Sequence, residues 1–264
     1  MNDAGDSETT DEPDAARDSD REPEHPMNRP FFFGLAPVDR QRRNFLDVHT
    51  SQTRDGGRQP AVLFVHGGPV PEGQLPRPRD WEGFNGYAAL AAASGLVGIT
   101  FNHRLHTEEH YPLAAEGVAA AVEQTRELDS VDSARIGLWF FCVGGGLAAD
   151  WLASPPDWLG CVAWTYPVLV PPPDWSGDRE RFDAVTAASS APRLPKLLLR
   201  VGDEYEYFAQ TQNDLVDSVR EHGGDLEVIE LPETEHGFEH LGYDAQSRDG
   251  VDRAMQWVSR ILRR

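Results

Sequence analysis

Short runs in which every residue is apolar alternate along the chain with longer stretches whose apolar positions recur at helical spacing. Residues 61–65 form the first such run, closed by His66-Gly67-Gly68-Pro69. The pattern predicts a buried strand entering a glycine turn. Residues 87–93 predict a helix, 96–101 a second buried strand, 113–128 a long helix with Val118, Ala121 and Val122 apolar, and 135–141 a third strand. That strand meets Gly144-Gly145-Gly146 and then the apolar start of a helix over 147–152. The rhythm repeats with strands at 161–166, 197–201 and 226–231, and with helices at 208–221 and 251–262, the last with Met255, Val258 and Leu262 as its apolar positions.

Strands apolar on both faces and separated by helices predict an α/β protein, with a mostly parallel central sheet flanked by helices on both faces. In such sheets ligands bind beyond the carboxyl ends of the strands, so functional residues are expected just after each strand. The segment 168–192, rich in Pro, Asp and Ser, is expected to be a loop excursion or small lid, being too poor in apolar residues for a second domain.

Composition narrows this picture. The chain has 264 residues, 39% of them hydrophobic, enough for one substantial core. Residues 1–26 carry ten acidic residues and two arginines, a net −8 out of −20 for the whole, with almost nothing large and apolar. They read as a disordered acidic tail, leaving 27–264 as the folded domain. The net charge repels a nucleic-acid duplex or an anionic membrane, and no basic stripe overrides it. Neither partner is expected.

Of the 24 basic residues only Lys196 is a lysine. An acidic surface nearly free of Lys suits a salt-adapted (halophilic) protein, while a coding bias toward Arg, Asp, Ala and Gly explains the same counts. No apolar run reaches the roughly 18 residues that span a bilayer, and the N-terminus lacks the pattern of a secretory signal. Cys142 and Cys161 are too few for a disulfide framework. A cytoplasmic location is the expectation.

The residues that carry chemistry come at the predicted turns. In Trp139-Phe140-Phe141-Cys142-Val143-Gly144 a strand enters a sharp turn and leaves as a helix. This arrangement lifts one side chain above the sheet, and the backbone N–H after it points toward a developing oxyanion. A helix N-terminus also favours the thiolate over the thiol. A buried structural cysteine is the other reading of Cys142.

The turn resembles the nucleophile elbow of the α/β-hydrolase fold, written Gly-x-Ser-x-Gly, with Cys replacing Ser in dienelactone hydrolases. Here Phe140 stands where the first glycine is usual. His66-Gly67-Gly68-Pro69 is similar to the oxyanion-hole loop of esterases and lipases of this fold, and Glu235-His236-Gly237-Phe238 to the element carrying their catalytic histidine. Phe101-Asn102-His103-Arg104-Leu105 resembles a Tyr-Arg-Leu segment of related carboxylesterases, with His103 in the usual Tyr position. The resemblance covers residue 45 to the C-terminus.

It implies a single-domain hydrolase of a small carboxylic ester or lactone. Cys142 is then the nucleophile, His236 the general base and Glu204 the orienting acid, with neighbouring Asp203 as the alternative. Gly67, Gly68 and Val143 supply the oxyanion hole. No metal or organic cofactor is required. The rival is a catalytically inactive scaffold of the same fold that binds a small molecule or a protein, and Phe140 at the elbow is the feature that favours it.

Two further motifs carry less. His236-Gly237-Phe238-Glu239-His240 spells His-x-x-Glu-His, a zinc-protease pattern, yet Gly237 disfavours the helix such a site needs. The three glycines at 144–146 lack the spacing of a dinucleotide loop.

Overall fold

A computed structural model describes residues 25–32, 34–52, 56–241 and 244–264. Apart from His25 and Pro26, the expected acidic tail lies outside the described residues. Eight strands form one open sheet: β1 (Val38–Arg43), β2 (Leu46–Ser51), β3 (Gln59–Val65), β4 (Val97–Phe101), β5 (Val131–Phe141), β6 (Leu159–Thr165), β7 (Lys196–Asp203) and β8 (Leu226–Glu235). Their order across the sheet is β1-β2-β4-β3-β5-β6-β7-β8. The six strands from β3 to β8 are mutually parallel, and the β1–β2 hairpin adds an antiparallel edge to β4.

The α-helices among the described residues are α1 (Glu82–Ala93), α2 (Tyr111–Arg126), α3 (Ala149–Ala153), α4 (Ala184–Ser189), α5 (Glu206–Glu221), α6 (Phe238–Leu241) and α7 (Ala245–Leu262). The central strands are apolar on both faces because both are covered. Leu63, Val65, Leu138 and Phe140 pack with α2, α3, α4 and α5 on one side. Val62, Phe64, Trp139 and Phe141 pack with α1 and α7 on the other. Alternate residues of one strand thus feed two separate cores, as the period-2 geometry of a strand demands. No helix among the described residues is long and apolar enough to cross a membrane.

Besides a short helix, α4, inside the segment 168–192 expected as a loop excursion or small lid, two features depart from the sequence-based expectation. The helix after the third predicted strand does not begin at residue 147. The chain first winds through a 3₁₀ segment, Cys142–Ala148, and only then becomes α3. Glycine is a poor helix former, and here it is required for packing: a Cβ on Gly144 would lie 2.5 Å from the His66 carbonyl oxygen. The second departure is the β1–β2 hairpin. β1 is almost wholly polar (Val-Asp-Arg-Gln-Arg-Arg) and exposed. What holds it is pairing to β2 and charge: Arg40 and Arg42 converge on the buried carboxylate of Asp47, with Arg42 Nε 2.8 Å from Oδ1. Asp80 joins the same cluster from a 3₁₀ turn, Pro78–Asp80, ahead of α1.

The parallel strands all finish at one edge of the sheet. Directly after β3, β4, β5, β6, β7 and β8 stand His66, Asn102, Cys142, Tyr166, Glu204 and His236. The side chains of the candidate site lie on, or beside, that edge.

Candidate active site

Cys142 follows β5 with a backbone φ of +50°. An L-residue with a side chain rarely occupies that left-handed region, and a nucleophile elbow is one of the few places where the surrounding structure over-determines it. The Cys142–Val143 peptide is pinned, because its carbonyl accepts the Val168 N–H at 2.9 Å. In a planar peptide the N–H points opposite to the C=O, so the Val143 N–H has a fixed direction too. The next peptide is held by Tyr111, whose hydroxyl donates to the Val143 carbonyl at 2.7 Å.

His236 follows β8, with its Nε2 3.1 Å from Cys142 Sγ and its Nδ1 2.7 Å from Glu204 Oε1. Glu204 follows β7, and its side chain is only 3% exposed. Oε1 also accepts the Tyr205 N–H at 3.0 Å, and Oε2 accepts Gln212 Nε2 from α5 at 3.1 Å. Burial lowers the imidazole pKa, but the bonds to Cys142 and Glu204 outweigh it and push His236 up to about 10. The imidazole therefore carries its proton readily while a sulfur and a carboxylate flank it.

Asp203, the alternative acid, is exposed and contributes its backbone. Its carbonyl accepts the His236 N–H at 3.1 Å. Gly67 backs directly onto the thiol: a Cβ there would lie 2.7 Å from Cys142 Cβ and 3.3 Å from Sγ. Gly68 sits against the Leu105 carbonyl, 3.1 Å from where its Cβ would be. Cys142, Val143, Glu204, His236 and Gly67, all singled out from the sequence, thus share one neighbourhood, with Gly68 next in the chain. Phe140 stays out of it, fully buried in the core on the α2 side, while Cys142 packs with the opposite cluster.

Sequence reasoning missed the residues that enclose the imidazole. Tyr166 lies with its ring centroid 4.4 Å from that of His236, and Tyr205 and Phe208 each lie at 5.4 Å. Tyr166 has a φ of +37°. Its hydroxyl donates to Glu239, which also accepts from Tyr87 at 2.7 Å. Burial raises the Glu239 carboxyl above its ordinary range, against the pull of both tyrosines and of His236. Glu239 is thereby engaged by two phenols; among the described residues no group of three or more His, Cys, Asp or Glu is placed to hold a metal ion. Tyr166 had a usable signal, since it stands at the carboxyl end of a buried strand.

Comparison with known proteins adds independent findings. The model of the dienelactone hydrolase family matches residues 100–262. No curated protein matches the chain. Among solved structures, Thermogutta terrifontis esterase 2 phosphonylated by sarin superposes with a TM-score of 0.64 at 16% identity, over 82% of this chain and 89% of that one. A fungal esterase from Rhizomucor miehei gives 0.66 at 15% identity, over 87% and 86%. The thermostable carboxylesterase EstE1 from a metagenomic library gives 0.64 at 19%, over 87% and 90%. At these identities the likeness is one of fold, that of the α/β hydrolases.

Proposed function

The chain belongs to the dienelactone hydrolase family, and from that membership we propose that it cleaves a small ester or lactone through Cys142, His236 and Glu204. Carboxylic ester hydrolysis is its activity; the residues that perform it and the acyl-enzyme route are the proposal. The observation that carries the proposal is the unbroken chain of contacts from Glu204 through His236 to the sulfur.

The proton shared by Cys142 and His236 rests on Nε2 as Sγ attacks the ester carbonyl carbon. The carbonyl oxygen becomes an oxyanion that the N–H groups of Val143, Gly67 and Gly68 stabilise, the pinned Cys142–Val143 peptide costing no reorganisation. Collapse of the tetrahedral species breaks the C–O bond, and Nε2–H protonates the leaving alkoxide. A thioester remains on Cys142. Acylated sulfur no longer bonds the imidazole as the free sulfur does, so one of the contacts that raised the His236 pKa is gone. The imidazole, now neutral, takes a proton from water, which attacks the thioester carbonyl. The C–S bond breaks, the acid leaves, and the proton returns to the Cys142–His236 pair.

The experiment is turnover of short-chain aryl esters and an enol lactone. Burst kinetics are expected, with activity abolished in both Cys142→Ala and His236→Ala. Unchanged esterase activity in purified Cys142→Ala contradicts the mechanism, and an inert thiol with no turnover over a broad ester panel returns the protein to a binding scaffold.

A further inference from the structure

His103 is a buried histidine that the mechanism above does not use. It lies just beyond the end of β4, and its ring stacks on that of His66, with centroids 3.6 Å apart and planes 7° from parallel. Gly117 of α2 makes room for it; a Cβ there would lie 3.1 Å from His103 Cβ. Two hydrogen bonds hold carbonyls of the glycine loop and a third joins the two histidines. His103 Nε2 lies 2.8 Å from the His66 carbonyl oxygen, His66 Nδ1 lies 2.6 Å from the Gly67 carbonyl oxygen, and the His103 backbone N–H donates to His66 Nε2 at 3.3 Å.

One proton arrangement satisfies all three. His66 carries its proton on Nδ1 and accepts at Nε2; His103 carries its proton on Nε2 and leaves Nδ1 without a partner, as observed. Burial keeps both rings neutral, holding His66 well below its ordinary pKa and His103 down to about 4.

Each carbonyl gripped in this way belongs to a peptide whose N–H points the opposite way. The His66 carbonyl shares its plane with the Gly67 N–H, and the Gly67 carbonyl shares its plane with the Gly68 N–H. We propose that His103 is a positioning residue: directly at the His66 carbonyl, and through the stacked His66 ring at the Gly67 carbonyl, it fixes the two peptide planes whose N–H groups receive the ester's oxyanion. This rests on Cys142 as nucleophile, and Gly67 lies against that very sulfur.

The test separates oxyanion chemistry from thiol chemistry in the full-length protein. Acylation by an aryl acetate builds charge on the carbonyl oxygen, whereas alkylation of Cys142 by iodoacetamide displaces iodide at a saturated carbon and needs no oxyanion hole. His103→Leu lowers the burst acylation rate by about 10- to 100-fold, while the alkylation rate stays within about twofold. His103→Gln recovers most of the acylation, because its amide N–H reaches the same carbonyl. If the Leu variant does not fold, His103→Asn, whose shorter amide stops short of that carbonyl, carries the same comparison. Acylation and alkylation falling together reduce His103 to a packing role and overturn the proposal, as does acylation unchanged. Failure of the nucleophile assignment is seen separately, as turnover surviving in Cys142→Ala.

Discussion

Glu204→Gln removes a charge while keeping the shape of the group that orients His236. In the wild type Oε1 accepts from His236 Nδ1–H and the Tyr205 N–H, and Oε2 accepts from Gln212, whose same nitrogen also donates to the Pro167 carbonyl at 3.1 Å. A glutamine has one acceptor oxygen for those two sides. If it faces His236, its NH2 meets the NH2 of Gln212, and turning Gln212 over forfeits the bond to Pro167. The charge-assisted bond to the imidazolium is lost at about 1.5–3 kcal/mol, and one buried donor is left unsatisfied at about 1–3 kcal/mol. The sum, about 2.5–6 kcal/mol, corresponds to a fall of roughly 10²- to 10⁴-fold in kcat/KM. Asp203→Asn is the matched control, since Asp203 serves the site through a backbone carbonyl that Asn retains. Steady-state hydrolysis of one aryl ester by both variants, with thermal melts to confirm folding, gives the comparison. Equal losses in the two, or a larger loss in Asp203→Asn, refute the assignment of Glu204.

Three more predictions follow from other parts of the molecule. Burial holds His49, His103 and His240 down to about 4, so between about pH 6.5 and 4 the unfolded chain binds protons that the folded chain refuses. The folded state then loses up to about 3 kcal/mol per histidine across that window; melting curves should show Tm falling through it, and a level Tm contradicts the burial. Phe140→Gly restores the usual elbow residue but empties a core position, and costs about 3–5 kcal/mol of stability in urea unfolding without raising activity; improved turnover means the phenyl ring obstructs the elbow after all. The lysine-poor acidic composition predicts that Tm and esterase activity rise toward molar KCl, whereas indifference to salt assigns the bias to coding composition.

Much of this architecture was legible in the sequence because the parallel strands bury both faces, leaving continuous apolar runs such as residues 61–65 and 197–199. The turns were legible for a related reason: the proposed site is built from residues directly after strands, and Cys142, Glu204 and His236 each occupy such a position. β1 was not, since it has no apolar alternation and depends on Arg40, Arg42 and Asp47 meeting in space. β2, with Leu46 and Val48 alternating with polar residues, did hold a readable period. The choice between Asp203 and Glu204 turns on which carboxylate points at the imidazole, which spacing alone does not encode. Tyr166, Glu239 and Tyr87 come from three separate elements, and nothing local in the chain announces their meeting. Phe140 misled in the other direction: its ring goes into the core on the α2 side, away from the sulfur.

The most direct measurement is the intact mass of the protein within the burst phase of aryl-ester hydrolysis, followed by peptide mapping. A nucleophilic Cys142 gives a single acyl adduct on the peptide containing it, released by hydroxylamine at neutral pH as a thioester is, and absent from Cys142→Ala. An adduct on any other residue, or undiminished turnover in Cys142→Ala, contradicts the assignment of Cys142 as the nucleophile.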